Sequence, residues 1–182
     1  LHDIGKAKIP EEILFKPGRL DAEERTIIEQ HAPLGAQILL ENRIESPLAV
    51  AASWGHHLRA DQQGGYPSTE DWFGTSFVTQ LLHVCDVFEA LTAARPYKPP
   101  LTPRHAYEMM LTDTGVFEPR ALSLFISTMG IFPPGSPVRL SSGEQGIVLA
   151  AGSEIDRPVV GLTHDRQGHT LNDGGDPCRV DL

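Results

Sequence analysis

Only two of the 182 residues are cysteine, Cys85 and Cys178. They stand far apart in no metal-binding spacing, so a cysteine-built metal site is excluded. Long apolar runs are missing too. None approaches the ~18 residues that cross a bilayer, so the sequence carries no membrane segment. Positive charge is scarce, with 15 Lys and Arg against 24 Asp and Glu and a net charge of −9. That argues against a nucleic-acid polymer as partner, which requires a basic face. A small anionic substrate stays open, because bound metals reverse the sign locally. No signal peptide is visible. Cys85 reads as a reduced core residue, which fits a reducing compartment, and the expected location is the cytoplasm. The first residue is Leu rather than Met, which reads as a fragment or a processed chain. No internal repeat is present. What remains is ordinary globular composition, 40% hydrophobic and 21% charged, long enough for one sizeable core or one core plus a small appendix.

The most informative stretch comes first: Leu1-His2-Asp3-Ile4-Gly5-Lys6. An imidazole beside a carboxylate can hold a divalent metal, and a lysine three residues past the aspartate can face the same side of a helical turn. His31, then His56-His57, then Asp86 follow downstream. Each of the six has a plainer explanation when taken singly. His31 suits a helix terminus on dipole grounds, His56-His57 suits a surface pair, and Asp86 suits an ion pair with Arg95. All six being plain together is a weaker account than one shared centre. Six mixed imidazole and carboxylate groups without a thiolate exceed the needs of one tetrahedral zinc and suit Fe or Mn. Asp3 is placed to bridge two ions, and two metals about 3.5–4 Å apart are a recurrent device for phosphate-ester hydrolysis. Lys6, Arg95 and Lys98 form a second set, read either as solvated charge or as a phosphate clamp.

Local signals predict the elements around these residues. A short helical turn follows Pro10. Asp21 and Glu24 form a capping box for a helix running to His31, with a restart at Pro33. Ser46-Pro47 opens a helix that delivers His56 and His57 at its end. Residues 58–73 are polar and glycine-rich and read as a long loop containing Gly64-Gly65-Tyr66-Pro67. From Ser76 to Ala94 the pattern is a nearly continuous, mostly apolar helix, the expected central element, with Asp86 inside it. Further helices follow Thr102-Pro103 and span Pro119 to Met129, ending at Gly130. After a Pro133-Pro134-Gly135 linker come short β-type segments: Val138–Leu140, Gly146–Leu149, Pro158–Leu162 and Arg179–Leu182. Ser142-Gly143, Gly152-Ser153 and Asp173-Gly174-Gly175 separate them. The expected architecture is mostly α, a helical bundle over 1–132 with a small β-meander or partial barrel over 133–182.

LHDIGK, QHAPLGAQILL, GHH, GGYP and DVFEALTAARPYK, in that order and spacing, resemble the HD-GYP family. This is the branch of the HD phosphohydrolase superfamily that hydrolyses the bacterial second messenger cyclic di-GMP. The resemblance covers about residues 1 to 130, and the β segments look like an extension often seen after such domains. It implies an HD-type helical fold and a metal-dependent phosphodiesterase in signal transduction, giving linear pGpG, GMP or both. His2, Asp3, His31, His56, His57 and Asp86 then match metal ligands, with Asp3 bridging two or three divalent ions. Asp3 and Lys6 match the catalytic positions. Lys6, Arg95 and Lys98 match phosphate-holding residues, and Gly65, Tyr66 and Pro67 the signature of the substrate loop. The implied partners are a cyclic dinucleotide, GGDEF-type or other signalling proteins, and an upstream sensor or receiver domain. The sequence also departs from the pattern. Leu58 stands where the family carries glutamate, and one residue is added before the signature. A glutamate and a histidine that the family draws from a helix upstream of the HD pair are not in this sequence. The altered loop motivates an alternative, a non-catalytic cyclic di-GMP receptor or docking module. A third possibility is hydrolysis of another nucleotide.

Overall fold

The computed structural model describes residues 1–69, 74–94, 99–171 and 178–181. Helix starts fall where short polar side chains can satisfy orphan amides. After a 3-10 turn over Ile4–Lys8 and a single helical turn α1 (Glu11–Leu14), the Asp21 carboxylate accepts from the Glu23 and Glu24 amides. The Glu24 carboxylate accepts from the Asp21 amide, completing the expected capping box of α2 (Ala22–Glu29). Ser46 caps α4 (Pro47–Gly55), Ser76 caps α5 (Phe77–Thr92), Thr102 caps α6 (Pro103–Thr112) and Glu118 caps α7 (Pro119–Met129). One boundary differs from the sequence reading. The chain breaks at Gln30, and His31 opens α3 (His31–Glu41) instead of closing the helix before it. Pro33 lies in the first turn of α3, where its missing amide costs no helical hydrogen bond.

Two packing centres support these helices. The larger joins Val84 and Phe88 of α5 to Ala106, Tyr107 and Met110 of α6 and to Ala121, Leu122 and Phe125 of α7. The Phe88 ring stacks on Tyr107 at 5.0 Å and meets Phe125 edge-on at 5.0 Å. The smaller one packs the 3-10 turn and α4 against α3 through very small residues. Gly5 lies against the His31 carbonyl and the Gly35 amide, and a Cβ there would collide with both. Gly35 meets the Ser53 hydroxyl in the same way. This close approach lays the first residues of the chain directly onto the start of α3 and the end of α4.

Beyond Gly130, whose φ of 71° ends α7, the chain forms an antiparallel sheet in the order β1 (Pro137–Arg139), β2 (Gln145–Glu154), β3 (Arg157–His164), β4 (Cys178–Asp181). Val148 pairs with Val160 and Val160 with Val180. The order is sequential, so among the described residues the sheet is an antiparallel meander, as expected. Gly152-Ser153, read as a separator, lies within β2. The Ile131 amide donates to the Ile155 carbonyl and ties the sheet to the end of α7.

Candidate metal centre

Four elements deliver one cluster. His2 and Asp3 precede the 3-10 turn, His31 begins α3, His56 and His57 follow α4, and Asp86 projects from α5. His31 and His56 are almost fully buried. Their Nε2 atoms lie 3.3 Å apart, and His57 Nε2 lies 3.2 Å from His31 Nε2. Asp3 Oδ1 sits 3.3 Å from His31 Nε2 and 3.7 Å from His56 Nε2. The other oxygen, Oδ2, faces elsewhere, 2.6 Å from Lys6 Nζ and 3.5 Å from His2 Nε2. His2 Nε2 in turn is 3.8 Å from Asp86 Oδ1, and His57 Nδ1 is 3.9 Å from Asp86 Oδ2. The structure thus brings together every metal-ligand position expected from the sequence. It also divides the cluster into an inner and an outer group that share Asp3 and His57.

The protonation of the inner group follows from its backbone partners. His31 Nδ1 donates to the Ile28 carbonyl at 2.7 Å, and His56 Nδ1 donates to the Ser53 and Ala52 carbonyls at 2.9 and 3.1 Å. A carbonyl only accepts, so both protons sit on Nδ1 and both Nε2 atoms present lone pairs. Two lone pairs 3.3 Å apart repel unless a cation lies between them. Burial lowers the pKa of His2, His31 and His57; for His57, neighbouring imidazoles add to it and press the value to about 2. Asp3 goes the other way. Burial alone would raise it, but the Lys6 ammonium, 2.6 Å from Oδ2, outweighs that and holds the carboxyl well below its usual range. Its Oδ1 is buried without a hydrogen-bond partner, and leaving such an acceptor unpaired costs about 1–3 kcal/mol or more. An unpaired carboxylate oxygen among converging imidazole lone pairs fits a divalent cation.

The signature loop closes one side. Its start is held to the core: buried Leu58 pairs with Gly65. The Ala60 and Asp61 amides donate to the Val116 and Gly115 carbonyls. Leu58 therefore trades the family's glutamate for core packing. Gly65 has φ +81°, and a Cβ on it would run into the His57 carbonyl. Its role is close approach to the His57 backbone. Tyr66 lies over His57 with ring centroids 4.4 Å apart and meets His31 edge-on at 5.9 Å. The peptide between Tyr66 and Pro67 is cis. Tyr66 also walls a groove with Arg19, Leu20, Arg25, Ile28 and Glu29. Arg95 and Lys98 lie outside the described residues.

Three polar residues near the cluster escaped the sequence reading. Ser53 Oγ donates to the His2 carbonyl at 3.0 Å. His83 Nδ1 donates to the His56 carbonyl at 2.8 Å, and Gln80 Nε2 to the Leu58 carbonyl at 3.2 Å. A usable signal existed for two of them. Gln80, His83 and Asp86 recur every three residues and form a polar stripe on a mostly apolar helix.

Comparison with known proteins agrees with this geometry. The family profile described as HD domain matches residues 1–120. The chain is 40% identical over 149 residues to a cyclic di-GMP phosphodiesterase of Pseudomonas aeruginosa, covering 82% of this chain and 36% of that protein. It is 35% identical over 130 residues to a 3'3'-cGAMP-specific phosphodiesterase of Vibrio cholerae, covering 69% and 24%. It is 34% identical over 129 residues to a cyclic di-GMP phosphodiesterase response regulator of Xanthomonas campestris pv. campestris, covering 69% and 34%. In each case the match spans little more than a third of the relative or less.

Proposed function

The chain belongs to the HD domain family, in its HD-GYP branch, and from that premise we propose that it is a metal-dependent phosphodiesterase. Its proposed substrate is cyclic di-GMP, opened to linear pGpG or carried on to GMP in bacterial second-messenger signalling. The observation that carries the reading is the two-sided placement of Asp3. One oxygen faces the His31 and His56 imidazoles, while the other faces His2 and Lys6. Asp3, His31, His56 and His57 would hold one divalent ion, and Asp3, His2 and Asp86 a second. Iron and manganese suit this donor set. Such ions supply an activated water near neutral pH and offset the negative charge gathering on the phosphoryl oxygens.

The chain's own residues do the rest. His31 and His56 are locked by backbone carbonyls, so their lone pairs need no rearrangement on binding. Lys6 brings a cation to the edge of the cluster, where a phosphate oxygen can compete with Asp3 for its protons. Tyr66 offers a ring face beside the centre, and the groove that it shares with Arg19 and Arg25 gives the rest of an anionic nucleotide somewhere to lie. Gly65 and Pro67 set that ring in place. Arg95 and Lys98 are assigned to the substrate phosphates on the sequence resemblance alone. The cytoplasm, GGDEF-type signalling partners and an upstream sensor or receiver domain belong to the same proposal. The last is supported by the greater length of the relatives and the response-regulator name of one. A non-catalytic receptor is not favoured, because none of the six ligand positions has been lost.

The test is elemental analysis of the intact protein together with a turnover assay offering cyclic di-GMP and 3'3'-cGAMP in competition. Co-purifying metal and preferential loss of cyclic di-GMP are expected, with Asp3→Ala abolishing both. Tight cyclic di-GMP binding without product would establish the receptor instead. Preferential consumption of 3'3'-cGAMP would reassign the substrate.

A further inference from the structure

The turn that follows α4 holds two ligands on backbone that no longer belongs to a helix. The carbonyls of His56 and Leu58 lie on either side of His57, and neither is taken up by a helical amide. Both meet side-chain donors from one face of α5, His83 Nδ1 at 2.8 Å and Gln80 Nε2 at 3.2 Å. These residues stand three apart, about one turn of helix, so both donors project from the same side of α5. Gln80 is 3% exposed and His83 6%. Gln80 Nε2 has a second anchor in Thr75 Oγ1 at 2.7 Å, and the His83 ring stacks on Phe117 at 5.2 Å.

We propose that Gln80 and His83 are positioning residues, a two-point clamp that sets the backbone of His57, and through it the convergence of the His56 and His57 nitrogens, before any metal arrives. The inference rests on the metal-centre reading above and deepens it. Two observations point to positioning over simple core filling. Each residue spends one polar atom on the turn and leaves the other, Gln80 Oε1 or His83 Nε2, buried with no partner. A leucine or methionine would fill the same volume without stranding that atom, but would leave the turn carbonyl unpaired. The two clamped carbonyls also bracket one ligand and adjoin another, and Gly65 packs against the remaining carbonyl of that stretch, at His57. The backbone on both sides of His57 is thereby held from two directions. Outer partners of this kind are worth about 10–100-fold in metal affinity.

The experiment compares the intact protein with His83→Leu, His83→Asn and Gln80→Met. Metal is stripped from each, Mn2+ binding is followed by calorimetry, and the melting temperature of the metal-free form is recorded. His83→Asn keeps a donor at the position of Nδ1, whereas the other two lose theirs. His83→Leu and Gln80→Met should bind Mn2+ about 10–100-fold more weakly, by amounts that do not track their metal-free melting temperatures, and His83→Asn should recover most of the affinity. Parent-like affinity in both donorless variants would overturn the clamp, as would an affinity loss that follows melting temperature or that Asn does not relieve. If the parent itself bound no Mn2+, the metal-centre reading would fall, and the clamp with it. Loss in the variants alone isolates the clamp.

Discussion

A proton and a divalent cation compete for the same lone pairs at this cluster. Burial holds His2, His31 and His83 below the ordinary imidazole value of 6.5, and takes His57 to about 2. Between those values the unfolded chain binds protons that the folded chain refuses, so stability rises with pH across this window and drains away on acidification below about 6.5. Asp3 acts in the same sense lower down. Its carboxyl is held ionised in the fold, so its contribution is complete above the usual carboxylate range and is lost as pH falls toward the depressed value. The metal-free protein should therefore melt at progressively lower temperature from pH 7 to pH 5. A flat profile would contradict the buried imidazole cluster. Gly5 is the other sensitive residue. Gly5→Ala forces a methyl into the His31 carbonyl, and overpacking of this kind costs about 1–3 kcal/mol. Urea unfolding should register that loss, and metal affinity should fall with it because the methyl pushes Asp3 away from α3.

At the scale of the element, α5 does two jobs with two faces. Val84 and Phe88 enter the main core, while Asp86 faces the centre and Gln80 and His83 meet the turn that carries His57. The core face is where the helix is held. Phe88 contacts both Tyr107 and Phe125, so Phe88→Ala should cost about 3–5 kcal/mol in denaturant titration. The metal stoichiometry of the fraction that stays folded should not change, since no ligand leans on that ring. A drop in stoichiometry at full foldedness would mean that the two faces are mechanically coupled. The signature loop is the contrasting element. It has little regular structure and is held by Leu58 in the core and by the backbone pairing of Ala60 and Asp61 to the connection between α6 and α7.

For the molecule as a whole, the six clustered residues come from positions 2–86, and the sheet begins only at Pro137. We propose that residues 1–132 form the unit that carries the centre and residues 133–182 an appendage to it. A chain ending at Phe132 should bind Mn2+ with the parent stoichiometry and melt at a lower temperature. The loss of stability has a visible source, because the backbone bond from the Ile131 amide to the Ile155 carbonyl ties the sheet to the end of α7. Loss of metal binding in a folded, truncated chain would give the sheet a part in the centre that the geometry does not assign to it.

The six clustered residues were legible in the sequence because ligand chemistry belongs to residue types, and because their motifs recur in register. Helix starts were legible because a cap acts over three residues: Asp21 with Glu24, Ser46 with Ala49, Ser76 with Thr79. The break at Gln30 was misplaced at Pro33, since proline in a first turn and proline after a last turn give similar local signals. What only the tertiary structure decided lies between residues far apart in the chain. Ser53 holds the His2 carbonyl across 51 positions and His83 the His56 carbonyl across 27, and no local pattern encodes such a pairing. The division of labour between the two oxygens of Asp3 belongs to the same class. A sequence states that a carboxylate is present, but which oxygen faces the imidazoles and which faces Lys6 depends on a glycine, Gly5, letting the turn settle onto α3.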